Sequence, residues 1–358
     1  MPETHETRRA RLRELLAAAE VDALLVTNLI NVRYLCGFTG SNAALLVTAD
    51  DAVLATDGRY ITQSAAQSPD VERVIARGVG TALAERAAQR GVPRLGFEAH
   101  EVTVEQHGGL TKTAEGVQLS AAGRLVERLR SVKDEEEIAL LREACAIGDR
   151  AFDALLPRIC AGRTERQIAF ELEDLMRDEG GDGPSFETIV AAGPNSAIPH
   201  HRPTDRVVAT GDFVKLDFGA LHAGYHSDMT RTVVVGEPAD WQREIYDVVR
   251  RSQQAGVDAL AVDAVVSNVD KVSRDVIDEA GYADNFTHAL GHGVGLQIHE
   301  APTLGYGGSD RLADRMPVTV EPGVYLEGRG GVRIEDTLVV RASGTELLTN
   351  TTKDLIVL

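Results

Sequence analysis

The sequence predicts two domains, an α/β domain followed by an α+β domain, and three observations carry that prediction. At 358 residues the chain exceeds the size that a single hydrophobic core usually serves. Its first part, about 120 residues, alternates short apolar runs with amphipathic stretches, as a sheet covered by helices requires. The remainder sets longer amphipathic helices between blocks of antiparallel-looking strands.

Residues 7–20 place Leu12, Leu15, Leu16 and Ala19 on one helical face, with arginines opposite. Apolar runs at 23–26, 43–47 and 52–55, bounded by Gly, Asn, Asp and Ser, read as strands. A helical stretch at 81–90 stops at Gly91-Val92-Pro93, and Leu95-Gly96-Phe97 starts a further strand. The boundary is expected near 124–134, which divides the chain into domains 1–125 and 126–358. Asp134 followed by Glu137 has the form of a capping box, and Ile138, Leu141, Cys145, Gly148 and Phe152 continue one face. Thr164 and Gln167 repeat the pattern before Ile168, Leu172, Leu175 and Met176, and that helix ends at Gly180-Gly181. Further helices are expected around 241–259 and 264–280. Strands are expected at 186–191, 213–218, 229–235, 318–321 and 332–340.

Composition narrows the function. Hydrophobic residues at 43% and charged residues at 26% are ordinary for a soluble globular protein. A formal charge of −18, with no basic stripe, argues against nucleic-acid binding, because phosphate contacts need clustered Lys and Arg. No apolar run approaches the roughly 20 residues that span a bilayer, and no apolar segment follows the charged start, so neither a membrane nor secretion is expected. Cys36, Cys145 and Cys160 are odd in number and far apart. They read as reduced core thiols in a cytoplasmic protein.

Five acidic or imidazole side chains stand in apolar or glycine-rich strand contexts, where an unpaired charge is costly. Asp217 lies in Val214-Lys215-Leu216-Asp217-Phe218-Gly219 and Asp228 in Ser227-Asp228-Met229-Thr230-Arg231. His292 lies in Gly291-His292-Gly293, Glu321 in Val320-Glu321-Pro322-Gly323, and Glu335 in Ile334-Glu335-Asp336. Singly, each has an ordinary explanation as a turn former, an ion-pair partner or a core histidine. Drawn into one site, four carboxylates repel unless cations neutralise them. Such an oxygen-rich set with one imidazole suits two divalent ions such as Mn²⁺ or Co²⁺ better than a thiolate zinc site.

In this order and with these flanks, the five residues resemble the "pita-bread" metallopeptidases of the Xaa-Pro type, prolidase and aminopeptidase P. The segments Asn31-Val32-Arg33-Tyr34-Leu35-Cys36-Gly37-Phe38-Thr39-Gly40-Ser41 and Asp57-Gly58-Arg59-Tyr60 resemble the creatinase-like N-terminal domain of the same enzymes. The resemblance covers nearly the whole chain and is strongest to short bacterial members, actinobacterial ones included. It implies a creatinase-like α/β domain, a pita-bread catalytic domain and two divalent ions per subunit, with Mn favoured and Co or Zn as alternatives. Asp217 would chelate one ion, Asp228 and Glu335 would bridge both, and His292 and Glu321 would complete the second. Glu321 would also accept or shuttle a proton.

The same resemblance assigns three more histidines. His200 would donate to the tetrahedral intermediate, His299 would hydrogen-bond the substrate near its proline side, and His288 would border the proline pocket. Arg333 would hold a ligand carboxylate in place. The implied partners are proline-containing di- or oligopeptides and a second copy of the chain in a homodimer. A dipeptidase is favoured over an aminopeptidase acting on longer peptides. A methionine aminopeptidase ranks lower because of the extra N-terminal domain and the His200 and His299 segments, and a creatinase-type hydrolase and a non-catalytic binding protein on the same fold rank lower because all five ligands are kept.

Two features depart from the family pattern. His201 follows His200 where many relatives carry Gly, and His222 and His226 flank the Asp217–Asp228 hairpin. All three read as exposed imidazoles, with a place on the pocket rim as the alternative. Arg315 stands where the family has Gly, and Pro317 where it has an apolar β-former. A proline that cannot donate to a sheet ladder implies an edge position or the first residue of a strand.

Overall fold

The computed structural model describes residues 2–358, and the chain divides into two compact units, Met1–Arg130 and Ser131–Leu358. In the first unit, strands β1 (Ala23–Val26), β2 (Ala43–Thr48), β3 (Ala52–Thr56), β4 (Glu72–Ile75), β5 (Arg94–Phe97) and β6 (Gln118–Ala121) form one sheet. Their order is β4-β3-β2-β1-β5-β6, with β2 antiparallel to both neighbours and the other pairs parallel. Ala23, Leu25, Leu46, Val53 and Leu95 of the strands meet Leu83, Ala84 and Ala87 in one apolar cluster. A fully buried leucine in such a cluster stabilises the unit by ~2 kcal/mol over an exposed one.

Helices α1 (Pro2–Ala18), α2 (Leu29–Cys36), α3 (Ile61–Gln67), α4 (Val79–Gln89), α5 (Val104–Thr113) and α6 (Leu125–Ser131) complete the order up to the boundary. Helix α2 was not apparent from periodicity, because its eight residues are only two turns. Local chemistry makes it: Asn28 accepts hydrogen bonds from the Ile30 and Asn31 amides, and Gly37 ends it at φ 79°.

The second unit opens with α7 (Glu135–Leu155) and α8 (Glu165–Asp178). Both expected capping boxes are closed in both directions, Asp134 with Glu137 and Thr164 with Gln167. Four strands come next: β7 (Gly183–Pro184), β8 (Ile189–Ala192), β9 (Phe213–Phe218) and β10 (Ala220–His222). The hairpin continues through β11 (Tyr225–His226) and β12 (Met229–Val234). The antiparallel set β12-β9-β8 packs Val214, Leu216 and Val233 against Phe152, Ile168, Leu172 and Met176.

Helices α9 (Asp240–Asp258) and α10 (Val266–Glu279) precede the second sheet. It orders β14 (Glu300–Leu304), β13 (Gly291–Gly293), β15 (Met316–Val320), β18 (Asp336–Val340) and β19 (Glu346–Leu347), while β16 (Gly323–Leu326) and β17 (Gly330–Arg333) form a separate hairpin. Val249, Val269 and Ile277 of the helices bury against Val318, Val320 and Leu338.

Several expectations are corrected. The run at 332–340 is two strands, interrupted at Ile334-Glu335, and β15 ends at Val320, one residue before Glu321. Both breaks place a ligand candidate at a strand end. Pro317 is the second residue of β15, which lies between β13 and β18; it pairs with Val339, and β13 pairs with β15 at Val318. The ring therefore sits where a single neighbouring strand is aligned. Cys36 and Cys145 are buried, but Cys160 is exposed, in the loop after α7.

Arg315, at the position where the resemblance leads to an expectation of glycine, adopts φ 66° in the left-handed region. Its main chain is fully used: the Arg315 amide donates to Val340 O at 2.8 Å, and the Lys133 amide donates to its carbonyl at 2.9 Å. Left-handed backbone costs a side chain roughly 1–2 kcal/mol, against the roughly 0.5–1 kcal/mol entropic cost of glycine. Arg315→Gly is therefore expected to stabilise the protein by ~0.5 kcal/mol and to raise Tm by roughly 1–2 °C. A lower Tm in thermal unfolding would show that the arginine side chain contributes more than its backbone costs.

Candidate metal centre

Strand ends and one bulged strand bring the five ligand candidates to one cavity. Asp217 lies on β9, and Asp228 immediately precedes β12, whose Thr230 pairs with Asp217. Glu321 follows β15, and Glu335 fills the gap between β17 and β18. His292 is the middle residue of β13, at a register shift where the ladder bulges and turns the side chain. Its flanking glycines are required by close backbone approach. A Cβ on Gly291 would stand 2.0 Å from Thr319 O, and one on Gly293 would stand 2.3 Å from Ala301 O.

Asp228, His292 and Glu335 each present a ligand atom, and the three atoms lie within 4.8 Å of one another. His292 Nε2 is 3.5 Å from Asp228 Oδ2 and 3.4 Å from Glu321 Oε1. Its other ring nitrogen lies 3.0 Å from the Gly293 carbonyl, so Nδ1–H donates there and the Nε2 lone pair faces the carboxylates. Asp217, Asp228 and Glu335 are almost wholly buried.

Supporting groups fix the carboxylates. Arg333 Nη2 donates to Asp217 Oδ2, and Arg333 Nε donates to Thr230 Oγ1 at 3.0 Å. Thr230 Oγ1 in turn donates to Glu335 Oε2 at 2.7 Å. Thr319 Oγ1 donates to Glu321 Oε1 at 3.2 Å, and Thr337 Oγ1 donates to the Asp228 carbonyl at 2.8 Å. These threonines were missed in the sequence. The available signal was spacing, since each stands two residues from a ligand candidate and so on the same side of an extended chain.

The remaining electrostatics are those of a cation site. Asp217 Oδ1 and Glu335 Oε1 are buried with no hydrogen-bond partner. Burial, then the charges of Asp217 and Glu321, push the Asp228 carboxyl well above the usual carboxylate range. Burial, then Asp228, Glu321 and Asp217, do the same to Glu335. Glu321 is raised as well, mainly by burial. Without cations such a cluster must take up protons. Divalent ions would satisfy the two orphan oxygens and the mutual repulsion together, so the residues fit a metal centre.

The cavity has a volume of about 590 Å³ and is lined by all five candidates and by His200, His288 and His299. Phe186, Ile189 and Ile298 supply apolar wall. The ring of His299 stands edge-on to His292, with centroids 4.4 Å apart. His288 has both ring nitrogens engaged: Nδ1 lies 2.8 Å from Ala289 O and Nε2 lies 2.9 Å from Tyr325 Oη. Burial and the nearby Arg333 charge bring it down to about 3, so it is neutral. What it offers the cavity is its ring.

None of the extra histidines is fully exposed, and His201 joins the cavity lining, as the pocket-rim alternative anticipated. His201 is buried, and its Nε2 bonds the fully buried Glu165 carboxylate at 2.8 Å. That carboxylate also accepts from Ala192 N, Asn195 Nδ2, Thr204 N and Thr204 Oγ1, which pins the loop that carries His200. Half-buried His226 bonds Ser185, and half-buried His222 has a buried Nδ1 without a partner. Glu300, which follows His299 in the sequence, forms a buried ion pair with Lys133 at 2.8 Å.

Residues 139–342 match Metallopeptidase family M24, and residues 8–132 match the Creatinase/Prolidase N-terminal domain. A Xaa-Pro dipeptidase of Pyrococcus horikoshii is 34% identical over 96% of this chain and 97% of its own length. The structure of a Xaa-Pro dipeptidase from Bacillus anthracis superposes with a TM-score of 0.96 at 40% identity, covering 99% of this chain and 100% of that one. That of an X-Pro aminopeptidase from Thermotoga maritima MSB8 superposes at 0.89 and 34% identity, covering 98% and 99%. A creatinase-type domain followed by a cavity of converging carboxylates and one imidazole, with relatives matched end to end, settles the family: the chain belongs to metallopeptidase family M24, with a creatinase/prolidase-type N-terminal domain and a pita-bread catalytic domain.

Proposed function

We propose that the protein is a dinuclear-metal exopeptidase that cleaves the bond between an N-terminal residue and proline, with Xaa-Pro dipeptides as preferred substrates. The observation that carries this is the pair of orphan buried oxygens, Asp217 Oδ1 and Glu335 Oε1, facing a cavity that holds the other ligands. Asp217, Asp228 and Glu335 would hold the first ion, and Asp228, Glu335, His292 and Glu321 the second. The ions supply Lewis acidity and an activated water at neutral pH, chemistry that Mn²⁺ provides and Co²⁺ or Zn²⁺ can replace.

The chain's own residues do the rest. Glu321 takes the proton released as water adds to the scissile carbonyl and returns it to the departing proline nitrogen, so the proton count closes. His200, in the cavity lining, donates a hydrogen bond as charge develops on the carbonyl oxygen, and His299, also in the lining, hydrogen-bonds the substrate near its proline side. His288, with both nitrogens used internally, contributes ring surface for the proline. Arg333 keeps Asp217 oriented. We place the reaction in the cytoplasm and the catalytic work in residues 126–358. The dipeptide preference follows the names of relatives such as the Pyrococcus and Bacillus proteins, and the Thermotoga protein supports the aminopeptidase reading.

The test is a panel of Xaa-Pro dipeptides and longer Xaa-Pro peptides, assayed after chelation and readdition of single metals. Chelation is expected to abolish hydrolysis, and Mn²⁺ to restore it with kcat/KM at least about tenfold higher on dipeptides, a preference worth roughly 1.4 kcal/mol. Folded protein inactive with every metal would refute the enzyme. Better cleavage of tripeptides would transfer the assignment to an aminopeptidase.

A further inference from the structure

Lys215 is fully buried and forms no ion pair among the described residues. It lies on β9 between Val214 and Leu216, two residues before Asp217 and therefore on the same face of the strand. Its ε-amino group donates to Ile198 O at 2.6 Å and Pro199 O at 3.3 Å, and stands 5.0 Å from the centre of the Tyr325 ring. Burying a lysine amine with no carboxylate partner is expensive, and an aliphatic side chain would fill this place at lower cost. Its two acceptors are the carbonyls of the residues immediately before His200.

That loop is otherwise held at its two ends. The Gly331 amide donates to Ser196 Oγ at 2.9 Å on one side, and Glu165 binds His201 and Thr204 on the other. Between these anchors the Ile198 amide donates to Asn195 O at 2.9 Å within the turn, and among the described residues the side chains that reach the main chain leading into His200 are Lys215 and Arg333, whose Nη1 donates to Pro199 O at 3.1 Å. Pro199 has no amide hydrogen, so its carbonyl is the one main-chain polar group that this residue offers.

We propose that Lys215 is a positioning residue for His200: by clamping the Ile198 and Pro199 carbonyls to the strand that carries Asp217, it sets the imidazole in register with the metal ligands. This rests on the reading of His200 as a hydrogen-bond donor to the substrate. Misplacement of such a group by about 1 Å costs on the order of a hundredfold in rate.

The test is a double-mutant cycle on metal-loaded, full-length protein: Lys215→Met, His200→Ala and the pair, with kcat, KM and bound metal measured for each. Lys215→Met is expected to lower kcat roughly tenfold to a hundredfold with KM changed less than about threefold and two ions retained. In the His200→Ala background the same change is expected to have less than about a threefold effect, because its target is gone. Multiplicative losses, an unchanged kcat, or tighter metal binding as the main consequence would overturn the proposal, the last pointing to direct electrostatic action on the ions. Lys215→Gln, which keeps a donor, runs through the same cycle if the methionine variant fails to fold, and is expected to recover part of kcat. Full activity in His200→Ala alone would instead refute the reading of His200, whatever Lys215 does.

Discussion

Asp228→Asn is expected to remove at least one metal ion per chain and to lower kcat/KM by more than about a thousandfold, over ~4 kcal/mol of barrier. The asparagine has the shape of the aspartate but one charge fewer, and its amide nitrogen cannot ligate. Asp228 lies with His292 and Glu335 in a triad of ligand atoms within 4.8 Å of one another, so its loss opens a gap in that set. The variant also separates site electrostatics from folding. In the metal-free wild type this carboxyl is buried against Asp217 and Glu321 and held far above the usual carboxylate range. Asparagine spares the metal-free fold both the repulsion and the proton uptake that answers it, so the metal-free variant should melt higher than the metal-free wild type near neutral pH, while the gain in Tm on adding Mn²⁺ shrinks. Unchanged metal content by elemental analysis would contradict a bridging position for Asp228.

Arg333→Met is expected to weaken metal binding tenfold to a hundredfold, roughly 1.4–2.7 kcal/mol, by releasing Asp217. It should also destabilise the fold by ~3–5 kcal/mol, the usual cost of breaking a buried ionic group from its partners. Four acceptors lose a donor at once: Asp217, Thr230, Tyr325 and Pro199. Arg333→Lys should recover little, because a single ammonium cannot reproduce a planar fork bonded on all sides. Metal titration and chemical denaturation together check both halves, and a variant with wild-type metal affinity would show that Asp217 needs no such support.

The ligand candidates were legible because each sits in a short stretch of unusual chemistry, a charge among β-formers or beside glycines. Their convergence was not, since it depends on how two sheets are placed, and only the family resemblance suggested it. The capping boxes at Asp134 and Thr164 were legible because they are local hydrogen-bond geometry. His201 was misjudged because burial is a tertiary property. A histidine in a polar loop looks solvated until Glu165, thirty-six positions earlier, is seen beneath it. The break at Glu335 was hidden in an unbroken β-like run, and β-propensity carries no record of where a ladder stops.

The late position of Glu335 has a consequence for biosynthesis. The residue that stands with Asp228 and His292 in the candidate metal triad lies just ahead of β18, at position 335 of 358. With Glu335 as a proposed ligand, a nascent polypeptide that stops short of it would lack a complete site, however well its earlier helices and strands have formed. Such unfinished chains are expected to be inert toward the peptides around them.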